Sequence, residues 1–339
     1  LTVTQPARKI RDIAEFDARD IFGLAATLDG PAVFRGLASN WPLVQKSLSS
    51  PDEACQYLRN FYQGAPVTAF VSEARLGGRI FYKEDLSAMD FEQVETNLDW
   101  VLDRMGEHVA DAGSPFIYMG SSAVDFCLPG FSAQNALRQE GVSASVRIWI
   151  GNQTSVAAHY DVMYNIACVC AGRRRFTLFP PDQMGNLYVG PVDLTPAGQQ
   201  ISLVDLNRPD LDRYPRFAEA LAQAQSAELG PGDAIFIPSM WWHHVEGLED
   251  FNILVNHWWR DVPGYMGAPG DALLHAIMNI RALPAAERAA WRGIFDRYVF
   301  GDSDAAVEHI PVQSRGVLGE LDERMARTLR AMLRNKLNR

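Results

Sequence analysis

Cysteine is nearly absent from this chain: four residues, Cys55, Cys127, Cys168 and Cys170, in 339. That is too few for a disulfide framework, and Cys168-Val-Cys170 has C-x-C spacing rather than the C-x-x-C of zinc ribbons and redox motifs. The pair reads as two small apolar residues on one strand. Positive charge is also short, since 31 basic against 41 acidic side chains leave a formal charge of −10. Non-specific nucleic-acid binding and attraction to an anionic membrane both need the opposite sign, so neither partner is expected. No stretch reaches the roughly 18 consecutive apolar residues of a membrane helix. The opening LTVTQPARKIRDIAEFD lacks the basic and apolar regions of a signal peptide, although a start at Leu1 leaves a trimmed leader open. The expected setting is a reducing compartment, the cytoplasm. There is no internal repeat, and no G-x-S-x-G elbow to support a nucleophilic hydrolase. With 47% hydrophobic and 21% charged residues the chain has a globular composition, which excludes disorder and fibre.

Along the chain, residues 8–30 read as a helical lead-in, followed by the short strand Pro31-Ala-Val-Phe-Arg-Gly36 and a turn at Asn40-Trp41-Pro42. Ser50-Pro51-Asp52 starts a helix running to residue 62, and residues 89–105 read as another helix. Strands are expected at 66–72, 78–82 and 116–119. From about 144 to 262 the texture is β: Ser145-Val-Arg-Ile-Trp-Ile-Gly151, an apolar run from His159 to the turn at Ala171-Gly172, Arg173–Phe179, Ala234–Pro238, Trp241–Leu248 and Phe251–Trp259. Short strands with glycine turns at such intervals suggest a closed or sandwiched β-architecture. A mixed excursion at 182–226 holds one helical stretch, Arg216–Gln225. After Pro263 only helices are expected, at 270–283, 284–299 and 316–338. In the last of these Leu318, Leu321, Met325, Leu329, Met332 and Leu337 recur at helical intervals, a face that packs on its own domain or on a second copy.

Histidine carries the chemical signal, with seven in the chain. In His159-Tyr-Asp161, residues i and i+2 of a strand share a face, so imidazole and carboxylate project side by side. Two His and one carboxylate on one face leave coordination positions open, the arrangement that suits non-haem Fe(II) and oxygen activation. A third ligand would come from a later strand, and Trp241-Trp-His243-His244 is the obvious source; strand parity permits either histidine. H-x-D alone is a weak signal, because an ordinary surface or core pair would look the same.

The surrounding residues add more. The blocks AHYDVMYNIACVCAGRRRFTLFPPDQ, LGPGDAIFIPSMWWHHVEGL and FNILVNHWWR resemble the JmjC-type, cupin-like 2-oxoglutarate oxygenases. The likeness is greatest to the branch holding the asparaginyl hydroxylase that acts on hypoxia-inducible factor, whose opening strand and turn resemble PAVFRGLASNW. It covers about residues 30–262 and implies a mainly β fold with flanking helices: a double-stranded β-helix (jelly-roll, cupin-like) catalytic domain over 1–262, its barrel at about 144–262, and a helical region over 263–339.

Carried over residue by residue, the resemblance implies His159, Asp161 and His243 as iron ligands, and this is what selects His243 over His244. It implies a basic residue for the distal carboxylate of 2-oxoglutarate at Arg174, where the family has lysine. Arginine can serve there, because its planar fork matches a carboxylate and keeps its charge. Parity puts Arg174 with Phe176 and Leu178 on one face, an apolar setting in which a cation wants a buried anion; three solvated arginines at a strand edge are the plainer alternative. Tyr118 matches a tyrosine on the same carboxylate, Asn165 and Asn256 match asparagines of the co-substrate pocket, and Trp258 an aromatic wall near the iron. The family's threonine falls on Val156, with Thr154 or Ser155 as substitutes if the register slips. The implied activity is hydroxylation of an unactivated C–H bond in a protein side chain or small metabolite, with Fe(II), 2-oxoglutarate and O2. A metal-binding cupin that does not use 2-oxoglutarate, an isomerase or binding module, is the alternative from another class.

Overall fold

The computed structural model describes residues 8–110 and 115–338, so the first seven of the opening residues read above for a leader lie outside it. The chain divides into two compact units, the first ending at Arg260 and the second starting at Asp261. The first unit is built from β1 (Arg8–Lys9), β2 (Arg11–Asp12), β3 (Ala32–Phe34), β4 (Val67–Ser72), β5 (Arg79–Ile80), β6 (Glu92–Thr96), β7 (Phe116–Ala123) and β8 (Ser145–Gly151). It continues with β9 (Ser155–Tyr160), β10 (Tyr164–Ala171), β11 (Arg174–Phe179), β12 (Gln225–Leu229), β13 (Ala234–Ile237), β14 (Trp242–Gly247) and β15 (Asn252–Trp259). These strands form a nine-stranded sheet, β2-β3-β13-β10-β15-β8-β7-β4-β6, and a six-stranded one, β1-β12-β11-β14-β9-β5. Because β9 and β10 are consecutive yet lie in different sheets, as do β13 and β14, the chain crosses between sheets at each turn, which is the jelly-roll of the cupin fold.

Alternation along each strand sorts the side chains into layers. Ala167 and Val169 of β10, Ile235 and Ile237 of β13 and Leu254 of β15 pack with Phe176, Leu178 and Val245 of the smaller sheet, so these residues form the inter-sheet core. The intervening residues Ile166, Cys168, Cys170, Phe236, Ile253 and Val255 belong to a separate cluster with helical residues such as Leu43, Leu58 and Leu102. Cys168 and Cys170 are free and buried there, as small apolar residues. On the far side of the smaller sheet, Ala158, Phe179 and Trp242 are covered by Phe217 and Ala220 of helix Phe217–Gln223.

The turn from β10 to β11 needs Gly172, whose φ is +68° and where a Cβ would lie 2.4 Å from Asn252 Oδ1 and the Phe251 carbonyl oxygen.

Several elements depart from sequence expectation. Residues 89–105 are not one helix: Glu92–Thr96 pairs with β4 as the edge strand β6, and the helix is Leu98–Ala110, its first turn capped by Asn97 Oδ1 accepting from Trp100 N at 2.8 Å. The lead-in at 8–30 is helical only from the 3-10 turn Ala18–Asp20 through the helix Ile21–Ala26, because β1 and β2 add to the two sheets through β12 and β3. Pro42, expected in a turn, instead begins the helix Pro42–Ser49 at its first position.

The second unit contains helices Pro269–Ile280, Ala285–Phe295, Ser303–Val307 and Glu323–Leu337, the last capped by Asp322. The expected start at residue 316 shifts to Glu323, since Gly316–Leu318 forms only a short 3-10 turn. Ala306, Val307 and Ala326 are buried, whereas Leu274, Met278, Trp291, Ile294 and Phe300 are exposed. No helix among the described residues is long and apolar enough to cross a membrane.

Candidate active site

A cavity of about 260 Å3 opens between the two sheets. Strand register gives it two ends. The turn from β9 to β10, holding Asp161, Val162 and Met163, marks one; the turn from β10 to β11, just before Arg174, lies at the other. Across the smaller sheet, Leu178, His243 and His159 align in one row and Phe176, Val245, Val156 and Ile80 in the next, with Arg174 two residues further along β11. On the facing sheet the rows are Ile237-Asn165-Trp258, then Ile235-Ala167-Asn256, then Val169-Leu254-Trp149.

His159 and His243 are directly paired residues of β9 and β14, and Asp161 lies just past the end of β9. One ligand atom from each of the three lies within 4.8 Å of the others, and His243 Nε2 is 3.7 Å from Asp161 Oδ2. His159 Nδ1 donates to the Ala157 carbonyl at 2.9 Å and His243 Nδ1 to the Trp241 carbonyl at 3.0 Å. A carbonyl can only accept, so each Nδ1 carries the proton and each Nε2 keeps its lone pair. Burial, and then the neighbouring His159, lower the His243 pKa to about 4, so the ring is neutral at pH 7 as a metal ligand must be. The Asp161 carbonyl is held by the Met240 amide at 2.8 Å, with Met240 at φ +67°. Two imidazoles and a carboxylate with open positions fit a divalent iron ion.

A β-bulge makes this pairing work. Between the paired positions, Ala157 and Ala158 of β9 lie opposite the single residue His244 of β14. The extra residue lets both Val156 and His159 line the cavity, despite their odd spacing. Val156, and not Thr154 or Ser155, therefore occupies the lining. His244 lies on the other side of β14, buried, its Nε2 3.4 Å from Ser155 Oγ.

At the other end Arg174 is 1% exposed, while Arg173 and Arg175 turn outward into surface ion pairs with Glu249 and Glu228. Arg174 lies beside the Tyr118 phenol, and no protein group meets its Nε or Nη2. Burial lowers the guanidinium's pKa and pushes the Tyr118 phenol up to about 12. A desolvated cation with free N–H groups facing a cavity is a receptor for an anion. Between the ends, Asn256 Nδ2 donates to Asn165 Oδ1 at 3.0 Å and its own Oδ1 has no protein partner.

All eight residues singled out in the sequence line this one cavity: His159, Asp161, His243, Tyr118, Asn165, Arg174, Asn256 and Trp258. Sequence reading missed Trp149, Ser121 and the segment Pro196, Ala197 and Gln199, which also line it. Alternation in Ser145–Gly151 did place Trp149 opposite Ile148 and Ile150, but did not say which face the cavity takes. The 190–201 loop has no periodic pattern; it is held from outside by the His159–Ile201 and Val189–Ser202 bridges.

A jelly-roll with this cluster between its sheets defines a protein of the cupin type, with three residues that could hold a metal ion. The chain belongs to the cupin-like domain family, whose profile matches residues 20–265. It is 35% identical over 118 residues to the lysine-specific demethylase JMJ31 of Arabidopsis thaliana, covering 34% of this chain and 21% of that protein. It is 32% identical over 155 residues to tRNA wybutosine-synthesizing protein 5 of Mus musculus, covering 46% and 44%. It is 30% identical over 165 residues to HSPB1-associated protein 1 of Homo sapiens, covering 48% and 31%. In each case the match spans less than half of the relative's length.

Proposed function

We propose that this protein is an Fe(II)- and 2-oxoglutarate-dependent dioxygenase that hydroxylates an unactivated C–H bond of a protein side chain or small metabolite. The observation that carries this is the pairing of two groups in one cavity: a His-Asp-His set with both Nε2 atoms free, and a buried arginine with free N–H groups at the opposite end. A dicarboxylate keto acid fits that pair, one end on the metal and the other on Arg174. His159, Asp161 and His243 would hold iron; bound, it would supply oxygen activation coupled to decarboxylation of the keto acid. Arg174 and Tyr118 then orient the co-substrate, Asn165 and Asn256 bracket it, and Phe176, Val245, Val156 and Leu254 exclude water from the space between. The motif resemblance favours the asparaginyl-hydroxylase branch within this class.

Lysine demethylation and tRNA modification are in the names of relatives. The charged side chains among the lining residues are Asp161 and Arg174, both assigned above, so no carboxylate there is left to pair with a methylated ammonium. A formal charge of −10 disfavours a tRNA substrate. A neutral target group is the better fit. For the C-terminal unit we propose pairing with a second copy, supported by its exposed Leu274, Met278, Trp291, Ile294 and Phe300.

The test is anaerobic titration of the Fe(II)-loaded protein with 2-oxoglutarate, followed by the visible charge-transfer band of the chelate. A saturable band is expected. Bound iron with no band would favour a cupin that does not use this co-substrate.

A further inference from the structure

Trp149 lies in the row Val169-Leu254-Trp149, two inward-facing rows from Asn165 and Trp258 at the metal end. Arg174 stands at the matching distance from His243 on the facing sheet, so the two residues start from the same level of the cavity. The Trp149 ring stacks on Tyr118, with centroids 5.7 Å apart and planes 28° from parallel, and meets Trp258 edge-on at 6.0 Å. Gly120 leaves it room, since a Cβ there would stand 3.2 Å from the ring. Packed on three sides, the indole is fixed in orientation. Its Nε1 is shielded from solvent and has no protein hydrogen-bond partner, although Trp149 lines the cavity. A buried indole N–H ordinarily finds an acceptor. The lining N–H groups in the same condition are Arg174 Nε and Nη2 and Trp258 Nε1, donors all.

We propose that Trp149 is a specificity residue of the co-substrate site, its Nε1–H donating to the inner carboxylate of the keto acid beside Arg174 and Tyr118. This rests on the dioxygenase reading. The inner end of the cavity is then a receptor made of donors from three strands, β7, β8 and β11. It selects a second carboxylate and rejects keto acids that end in a methyl group, because those leave the indole and the guanidinium without an acceptor.

The test compares the parent protein with Trp149→Phe, which keeps an aromatic ring and removes the N–H. Each is loaded with Fe(II) without oxygen and titrated with 2-oxoglutarate and with 2-oxopentanoate, a monoacid of the same chain length. Loss of a hydrogen bond to a charged group should weaken 2-oxoglutarate binding by roughly ten- to a hundredfold and leave 2-oxopentanoate unchanged. Equal affinities of parent and variant for 2-oxoglutarate, or equal losses for both acids, overturn the assignment. A parent that binds neither acid overturns the dioxygenase reading and this assignment with it. Should the variant not fold, the Zn(II)-loaded parent still decides: the indole N–H resonance of Trp149, assigned through its contacts with Tyr118, must shift on adding 2-oxoglutarate and not on adding 2-oxopentanoate. A resonance that ignores both acids counts against the proposal.

Discussion

At the metal end of the cavity the protein fixes its own ligand set: His159 and His243 are each locked by a carbonyl two residues back, and the backbone of Asp161 is held by the Met240 amide, with Trp258 Nε1 the one buried side-chain atom there without a partner. At the inner end the charged group itself is left open, since Arg174 Nε and Nη2 and Trp149 Nε1 are buried without protein partners, and midway so is Asn256 Oδ1. The first end is preorganised by local strand geometry and needs nothing else to fold. The second is completed only by what binds there. Binding sites commonly combine these strategies, since a rigid ligand set fixes the position of chemistry while unmet donors supply selectivity.

The contrast can be broken most severely at the metal end. Asp161→Ala should bring metal-dependent turnover to background with an unchanged melting temperature, because a partly exposed carboxylate beside the cavity contributes little packing; metal content by elemental analysis and calorimetry check both halves. At the inner end, Arg174→Met should weaken 2-oxoglutarate by roughly thirtyfold or more. It should also stabilise the ligand-free fold by on the order of 1 kcal/mol, because a buried uncompensated cation is replaced by an apolar chain. Denaturant titration without co-substrate reads that gain, and a destabilised variant would show that Arg174 serves the fold.

A smaller effect separates rigid from ligand-dependent elements by pH. Burial lowers the pKa of His243 and His257 to about 4, from 6.5. Leu137 N donates to His257 Nε2 at 2.9 Å, a bond that needs the neutral ring. A depressed base pKa means the unfolded chain takes up protons first as pH falls. The stability is therefore whole above about pH 6.5 and drains away between 6.5 and about 4. Melting temperature against pH should decline across that window, and His257→Gln should flatten part of the slope. Smallest for catalysis is the C-terminal unit: Leu274→Asp with Phe300→Asp should convert a dimer to a monomer in light scattering while 2-oxoglutarate affinity stays the same.

Much of this was legible in the sequence because period-two alternation and turn glycines set strand faces directly. Arg174 with Phe176 and Leu178, and His243 opposite His244, follow from parity alone. Other features depend on pairing between distant segments. Glu92–Thr96 looks helical in isolation and becomes a strand because the edge of β4 is there to receive it. Trp149 carries no motif; its role emerges only when Tyr118, Leu254 and Gly120 are brought around it. The resemblance identified the threonine position as Val156, but only the bulge in β9 explains how that residue and His159 both face inward.

That bulge also constrains how this gene can change. Deleting one codon between those for Val156 and His159 would restore a regular ladder, which by strand energetics alone is an improvement. It would also turn one of the two side chains away from the cavity and leave either the metal or the co-substrate space without its wall. Length in this short stretch is therefore under tighter selection than the identity of Ala157 or Ala158, and insertions or deletions there should be purged where alanine-to-glycine or alanine-to-serine changes persist.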